Sequence, residues 1–151
     1  MTSRSVVFAE PVRTAIGTFG GSLKDVPAPA LGATAIGAAV TRAGIRPDEV
    51  ETVVMGNVVQ AGTKMNPARQ AAVHAGLPVT TPALTVNRVC GSGAQAIVSA
   101  AQEIALGNIN VAVAERHGEH GSCALSRFAR PLGLSHGRRP IIRQRAARRL
   151  E

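Results

Sequence analysis

Strand-like and helix-like segments alternate along the first 114 residues, and that alternation restricts the fold more than any other feature of the chain. A short β-branched run spans Ser5–Ala9. A loop dense in Gly and Pro follows, and then an Ala-rich segment, Ala30–Gly44, with apolar residues along one side. Gly44 stands where a helix stops, because glycine accepts the left-handed backbone of a C-terminal cap. Pro47, Asp48 and Glu49 mark a turn, and Glu51–Val59 reads as a strand. Asn66 and Pro67 form a strong helix-start signal for residues 66–76. The Asn side chain can cap, and the first turn does not need the N–H that Pro lacks. Residues 82–89 read as a strand, 91–107 as a helix and 109–114 as a further strand. Repeated strand–helix alternation predicts an α/β layered fold with a largely parallel, buried sheet.

Small side chains reinforce that reading. Aromatic residues make up only 2% of the chain and there are 16 glycines, which suits helices lying close on a sheet. Two cysteines make no disulfide framework. The first 14 residues turn polar after four apolar ones, and no apolar run is long enough to span a bilayer. A soluble cytoplasmic protein is the expectation.

The net charge of +8 is unevenly placed. Residues 1–114 hold eight Lys or Arg against six acids, whereas residues 115–151 hold nine Arg, no Lys and three Glu. The basicity belongs to the C-terminal segment. Residues 115–151 show no clean period and are expected to be poorly ordered. The division expected is therefore an incomplete N-terminal domain, 1–114, and a basic tail, 115–151. A basic tail that binds nucleic acid is one alternative function, but a solvated, non-specific tail is preferred.

Chemistry concentrates at Val86–Ala96, Val-Asn-Arg-Val-Cys-Gly-Ser-Gly-Ala-Gln-Ala. Cys90 falls where a strand hands over to a helix. Amide N–H groups and the positive end of the helix dipole there favour thiolate over thiol. Gly91 and Gly93 are expected to leave room for an acyl group beside the sulfur. A cysteine so placed can attack a thioester and hold the acyl group covalently. The alternative is a free cysteine buried as a small hydrophobe.

The Cys90 stretch resembles the N-terminal active-site signature of the thiolase family, the acetyl-CoA acetyltransferases. Three other segments match that family in the same order: residues 10–36, residues 56–78 and residues 104–114. The resemblance covers about residues 4–114. It implies a thiolase-like layered α/β fold, here a partial N-terminal half with a mixed or parallel sheet and flanking helices. It implies that Cys90 is acylated by acetyl-CoA or a 3-ketoacyl-CoA, in Claisen condensation or its thiolytic reverse. It implies acyl-CoA substrates, no further cofactor, no metal, and a homo-oligomer, dimer or tetramer. Specific nucleic-acid or membrane partners are not expected.

The chain departs from the family pattern in several places. Lys64 and Met65 stand where the family has Gly followed by Gln or Met. The family mechanism also uses a histidine in a Gly-His-Pro motif, a second cysteine in Cys-x-Gly and an Asn-Glu motif with its own histidine. His74, His117, His120 and His136 have no such context, and Cys123 is not in Cys-x-Gly. Little or no turnover is expected of this chain alone. A non-catalytic fragment that associates with an intact homologue is a second alternative. His117, His120 and Cys123 are spaced superficially like zinc ligands, but no fourth ligand accompanies them.

The genetic code adds one further expectation. Permitted codons for Glu115–Ala124, read one base later, spell Ser-Gly-Met-Glu-Asn-Met-Asp-Arg-Ala. That peptide resembles the family's continuation after residue 114. The tail is therefore expected to be a frameshifted translation of a GC-rich gene, which suits its Arg-rich, Lys-free composition.

Overall fold

The computed structural model describes residues 4–118 and the backbone of Ser126–Ala129. Its elements run β1 (Phe8–Val12), α1 (Ala28–Ala43), a short 3-10 turn at Pro47–Glu49, β2 (Thr52–Gly56), α2 (Pro67–His74), β3 (Ala83–Val86), α3 (Ser92–Leu106), β4 (Ala112–Arg116) and β5 (Ser126–Ala129). The strands form one five-stranded sheet in the order β1-β5-β4-β2-β3. β2 is parallel to both β3 and β4, while β5 is antiparallel to β4 and to β1. The sheet is thus mixed, with a parallel centre, and the α/β expectation holds.

Two apolar layers sandwich the sheet. Ala35, Ile36, Ala39 and Val40 of α1 and Ala68, Ala71 and Ala72 of α2 pack with Val53, Met55 and Val113 on one face. Ala96, Ala100 and Ile104 of α3 lie four residues apart, a single stripe of the helix, and meet Val54, Ala112 and Ala114 on the other face. Alternating strand residues therefore feed opposite layers, as the two-residue pleat requires. The many alanines let the helices come close. At Gly32 of α1, an added Cβ would lie 2.7 Å from Met55 Cε and 2.8 Å from His117 Nδ1.

Local signals in the sequence became caps. Gly44 and Gly107 end α1 and α3 in the left-handed region, at φ 64° and 84°. Asn66 caps α2, its Oδ1 accepting from the Arg69 amide at 3.1 Å. The same side chain donates from Nδ2 to the Ala83 carbonyl, and the Thr85 hydroxyl donates to its Oδ1, both at 2.8 Å. Asn66 thereby ties α2 to β3. Lys64, where the family pattern has glycine, adopts φ 61°. A side chain there bears strain that glycine would not.

Strand limits moved from the sequence reading. The first strand is Phe8–Val12, not Ser5–Ala9. It is an outer strand, so Pro11 removes no ladder bond that the sheet needs, and its register against β5 shifts between Ala9 and Val12. The second strand stops at Gly56 rather than Val59, and the last runs Ala112–Arg116 rather than Ile109–Ala114. Glu51 sets that later start: its carboxylate accepts from the amides of Asn110 and Val111. β4 crosses the boundary placed at residue 114, and β5 lies in the segment read as a tail. The rest of that segment, with His120, Cys123 and His136, lies outside the described residues.

Candidate functional site at the strand–helix corner

β3, β2 and β4 point the same way, so their C-terminal ends share one edge of the sheet. The chain leaves β2 toward β3 through α2 on one face, then returns past β2 to β4 through α3 on the other. Such a reversal opens a crevice beyond the carboxyl ends of the strands, the usual place for a ligand in an open α/β sheet. Cys90 lies there, exposed and with a free thiol, one residue before the Gly91 N-cap of α3. It is not a packed core cysteine.

The corner around Cys90 is tightly braced. Val89 adopts φ 50°, a conformation that a β-branched residue rarely takes. Its amide donates to Asn87 Oδ1 at 3.0 Å, and Asn87 Nδ2 donates to the Val58 carbonyl at 2.9 Å. Ser92 is fully buried beneath the turn. Its hydroxyl accepts from the Arg88 amide at 2.9 Å and donates to the Val89 carbonyl at 2.6 Å. Arg88 reaches forward to Gln95 Oε1 at 2.7 Å. Asn87 and Arg88 thus hold the end of the strand, and the side chains of Asn87 and Ser92 hold Val89 in its strained conformation. Backbone strain kept in place this way occurs at sites that must present one group in one direction.

The first four amides of a helix have no acceptor within it. Here the Gly91 amide donates to the Arg88 carbonyl at 3.0 Å and the Ser92 amide to the Val89 carbonyl at 3.1 Å.

The glycines do something other than expected. A Cβ on Gly91 would meet the Arg88 carbonyl oxygen at 3.3 Å, and one on Gly93 would meet Arg116 Cβ at 3.0 Å. Their bare sides face the protein, so they admit the turn and β4 rather than an acyl group. Gly56, which the sequence reading passed over, is tighter still. A Cβ there would lie 2.5 Å from the Ser92 carbonyl carbon and 2.8 Å from the Gly93 nitrogen. The start of α3 therefore rests directly on the end of β2. Gly56 was missed because its neighbours, Ser92 and Gly93, are distant in sequence. The only available signal was the Gly-Asn pair that closes an apolar run.

Beside the corner, on the α1 face, sit polar groups of a different kind. Asn57, Glu115 and His117 are buried to 1% exposure or less. Neither oxygen of Glu115, neither ring nitrogen of His117 and neither polar atom of the Asn57 side chain has a hydrogen-bond partner among the described residues. Burial pushes the Glu115 carboxyl well above the usual carboxylate range and lowers the His117 imidazole to about 4. No set of three His, Cys, Asp or Glu able to hold a metal occurs among the described residues.

Comparison with known proteins agrees with this architecture. A model described as the thiolase N-terminal domain matches residues 6–119. An acetyl-CoA acetyltransferase of Cupriavidus necator is 53% identical over 109 residues, which is 72% of this chain and 28% of that protein. A beta-ketothiolase, BktB, of the same organism is 55% identical over 112 residues, 74% of this chain and 28% of that protein. The crystal structure of the Bacillus anthracis acetyl-CoA acetyltransferase superposes with a TM-score of 0.73 at 44% identity, covering 78% of this chain and 29% of that one. The chain thus spans less than a third of the length of the relatives it matches.

Proposed function

The chain belongs to the thiolase family by its N-terminal domain, and on that premise we propose that it carries the acyl-accepting part of a thiolase-type acetyl-CoA acetyltransferase, with Cys90 as nucleophile. One observation supports this above all: a free, exposed thiol at the strand–helix corner, held by a strained and braced turn. The Cys90 thiol gives its proton to a base. Its sulfur attacks the carbonyl carbon of an acyl-CoA, the new S–C bond forms, and the bond to the coenzyme A sulfur breaks. The departing thiolate takes a proton and leaves. Coenzyme A thioester is substrate, and no other cofactor enters. The reading carries a cytoplasmic location with it, as the sequence suggested; no helix of the described residues is long and apolar enough to cross a membrane.

Acylation and turnover separate here. No histidine of this chain stands in Gly-His-Pro and no cysteine in Cys-x-Gly. Incubation with acetyl-CoA followed by peptide mass spectrometry is expected to find an acetyl group on Cys90 and none in the Cys90→Ser variant. Condensation to acetoacetyl-CoA is expected to stay at the uncatalysed level. A folded chain whose Cys90 stays unmodified refutes the nucleophile assignment.

A second copy of the chain is the proposed partner. β3 is an outer strand whose far side has no neighbouring strand among the described residues, and Leu84 on it is half exposed. Open strand edges recruit further strands. Asn66 occupies the Ala83 carbonyl, leaving a short stretch of edge around Thr85 for pairing. Sedimentation velocity is expected to show self-association that Leu84→Lys weakens at least about tenfold, roughly 1.4 kcal/mol. A sedimentation profile that Leu84→Lys leaves unchanged rules out this edge.

A further inference from the structure

From the geometry of β4 we infer that the polypeptide from Glu115 onward is translated one base out of the frame that encodes residues 4–114, and that the in-frame continuation is the peptide that completes this sheet. The inference stands on packing and is independent of whether Cys90 is acylated.

β4 changes character within a single strand. Ala112, Val113 and Ala114 are buried and apolar, and each fits its layer. The next three residues are Glu115, Arg116 and His117, all held at the same sheet edge by regular pairing. Glu115 pairs with Met55, Arg116 pairs with Gly56, and the His117 amide donates to the Gly56 carbonyl at 3.0 Å. The backbone therefore continues as a proper strand while the side chains stop suiting it. Both Glu115 oxygens, Arg116 Nε and both His117 nitrogens are enclosed with no partner among the described residues. Native structures hold few such groups, and here five atoms fall on three consecutive residues. The other unpaired buried atoms among the described residues are the two of Asn57, the residue after Gly56 at that edge.

Read one base later, permitted codons allow Ser at 115, Gly at 116 and Met at 117, and that reading would leave none of those five atoms in place. Serine replaces Glu115, a small neutral group in place of a buried carboxyl. Glycine replaces Arg116, whose Nε is enclosed without a partner among the described residues. Methionine replaces His117 in the slot formed by Gly32, Met55 and Ala71, where a flexible apolar chain fits. The same point begins the run of nine Arg and no Lys.

Two measurements test this. The first is the DNA sequence of the gene across the codons for residues 110–130. The expected result is that the one-base-later reading gives small or apolar residues at 115, 116 and 117 and runs on without a stop. Charged residues at those positions, or a stop within that stretch, overturn the inference. The second is the thermal midpoint of the full chain carrying Glu115→Ser, Arg116→Gly and His117→Met together. It is expected to rise by about 10 °C or more. A midpoint unchanged or lowered overturns the packing argument on which the inference rests.

Discussion

Gly56→Ala is expected to unfold this domain or leave it marginal, with a loss of about 3 kcal/mol or more. The methyl group has nowhere to go. It would sit 2.5 Å from the Ser92 carbonyl carbon, 2.6 Å from its oxygen and 2.8 Å from the Gly93 nitrogen. All three are backbone atoms of the first turn of α3, so no rotamer change relieves the overlap. Either α3 lifts from β2, opening the layer formed by Val54, Ala96 and Ala100, or β2 shifts in register. Overpacking ordinarily costs about 1–3 kcal/mol, and a clash with backbone lies at the upper end or beyond. For a domain of this size that corresponds to roughly 10 °C in thermal midpoint. Gly37→Ala is the control. It lies inside α1 with nothing within 4 Å of the added Cβ. There alanine should stabilise, by about 0.5–1 kcal/mol, because glycine is the weaker helix former. Opposite signs from the same chemical change, read by circular dichroism melts, would show that α3 seats on β2 as described. A Gly56→Ala chain as stable as the parent would refute that seating.

Stability is expected to peak in mildly acidic solution, and Glu115→Gln is expected to remove the fall on the alkaline side. The folded chain holds Glu115 protonated more tightly than the unfolded chain does, because burial opposes the carboxylate. The folded state thus binds the extra proton, and its advantage is lost as pH rises above the ordinary value of 4.5. His117 acts in the other direction. Its imidazole titrates near 4 when folded against 6.5 when unfolded, so the unfolded chain takes the proton first. Stability therefore falls as pH drops from about 6.5 toward 4, by on the order of 3 kcal/mol in all. The two slopes oppose each other between 4.5 and 6.5, where the maximum lies. Above 6.5 His117 no longer acts, and whatever slope remains is that of Glu115, downward with rising pH. On the alkaline side Glu115→Gln should be more stable than the parent, because its amide has no proton to lose in the unfolded chain, while the acid limb stays. Urea titrations from pH 4 to 9 measure both limbs. A parent curve rising steadily to pH 9 contradicts the burial of Glu115.

Much of the local structure was legible because its causes are local. Asn66 and Pro67 announce the start of α2, Gly44 and Gly107 announce the ends of α1 and α3, and each signal acts within one helical turn. The thiol at the head of α3 was legible for the same reason. Strand limits were less so. Ile109 is as apolar as Val111, yet the strand begins only after Glu51, 59 residues from Asn110, has taken up two amides of the turn. The role of the glycines in the signature was misread. From sequence alone their bare sides looked like room for substrate, whereas Arg88 and Arg116 fill them.

By itself, then, the sequence determined the alternation of elements, their caps and the cysteine at the corner, since these follow from periodicity and from contacts a few residues long. Only the tertiary structure decided that Gly56 carries α3, that Asn66 ties α2 to β3, and that Glu115 and His117 are enclosed without partners among the described residues. Those outcomes depend on which strand lies beside which. That choice brings together residues up to sixty positions apart, whose distances no local pattern encodes.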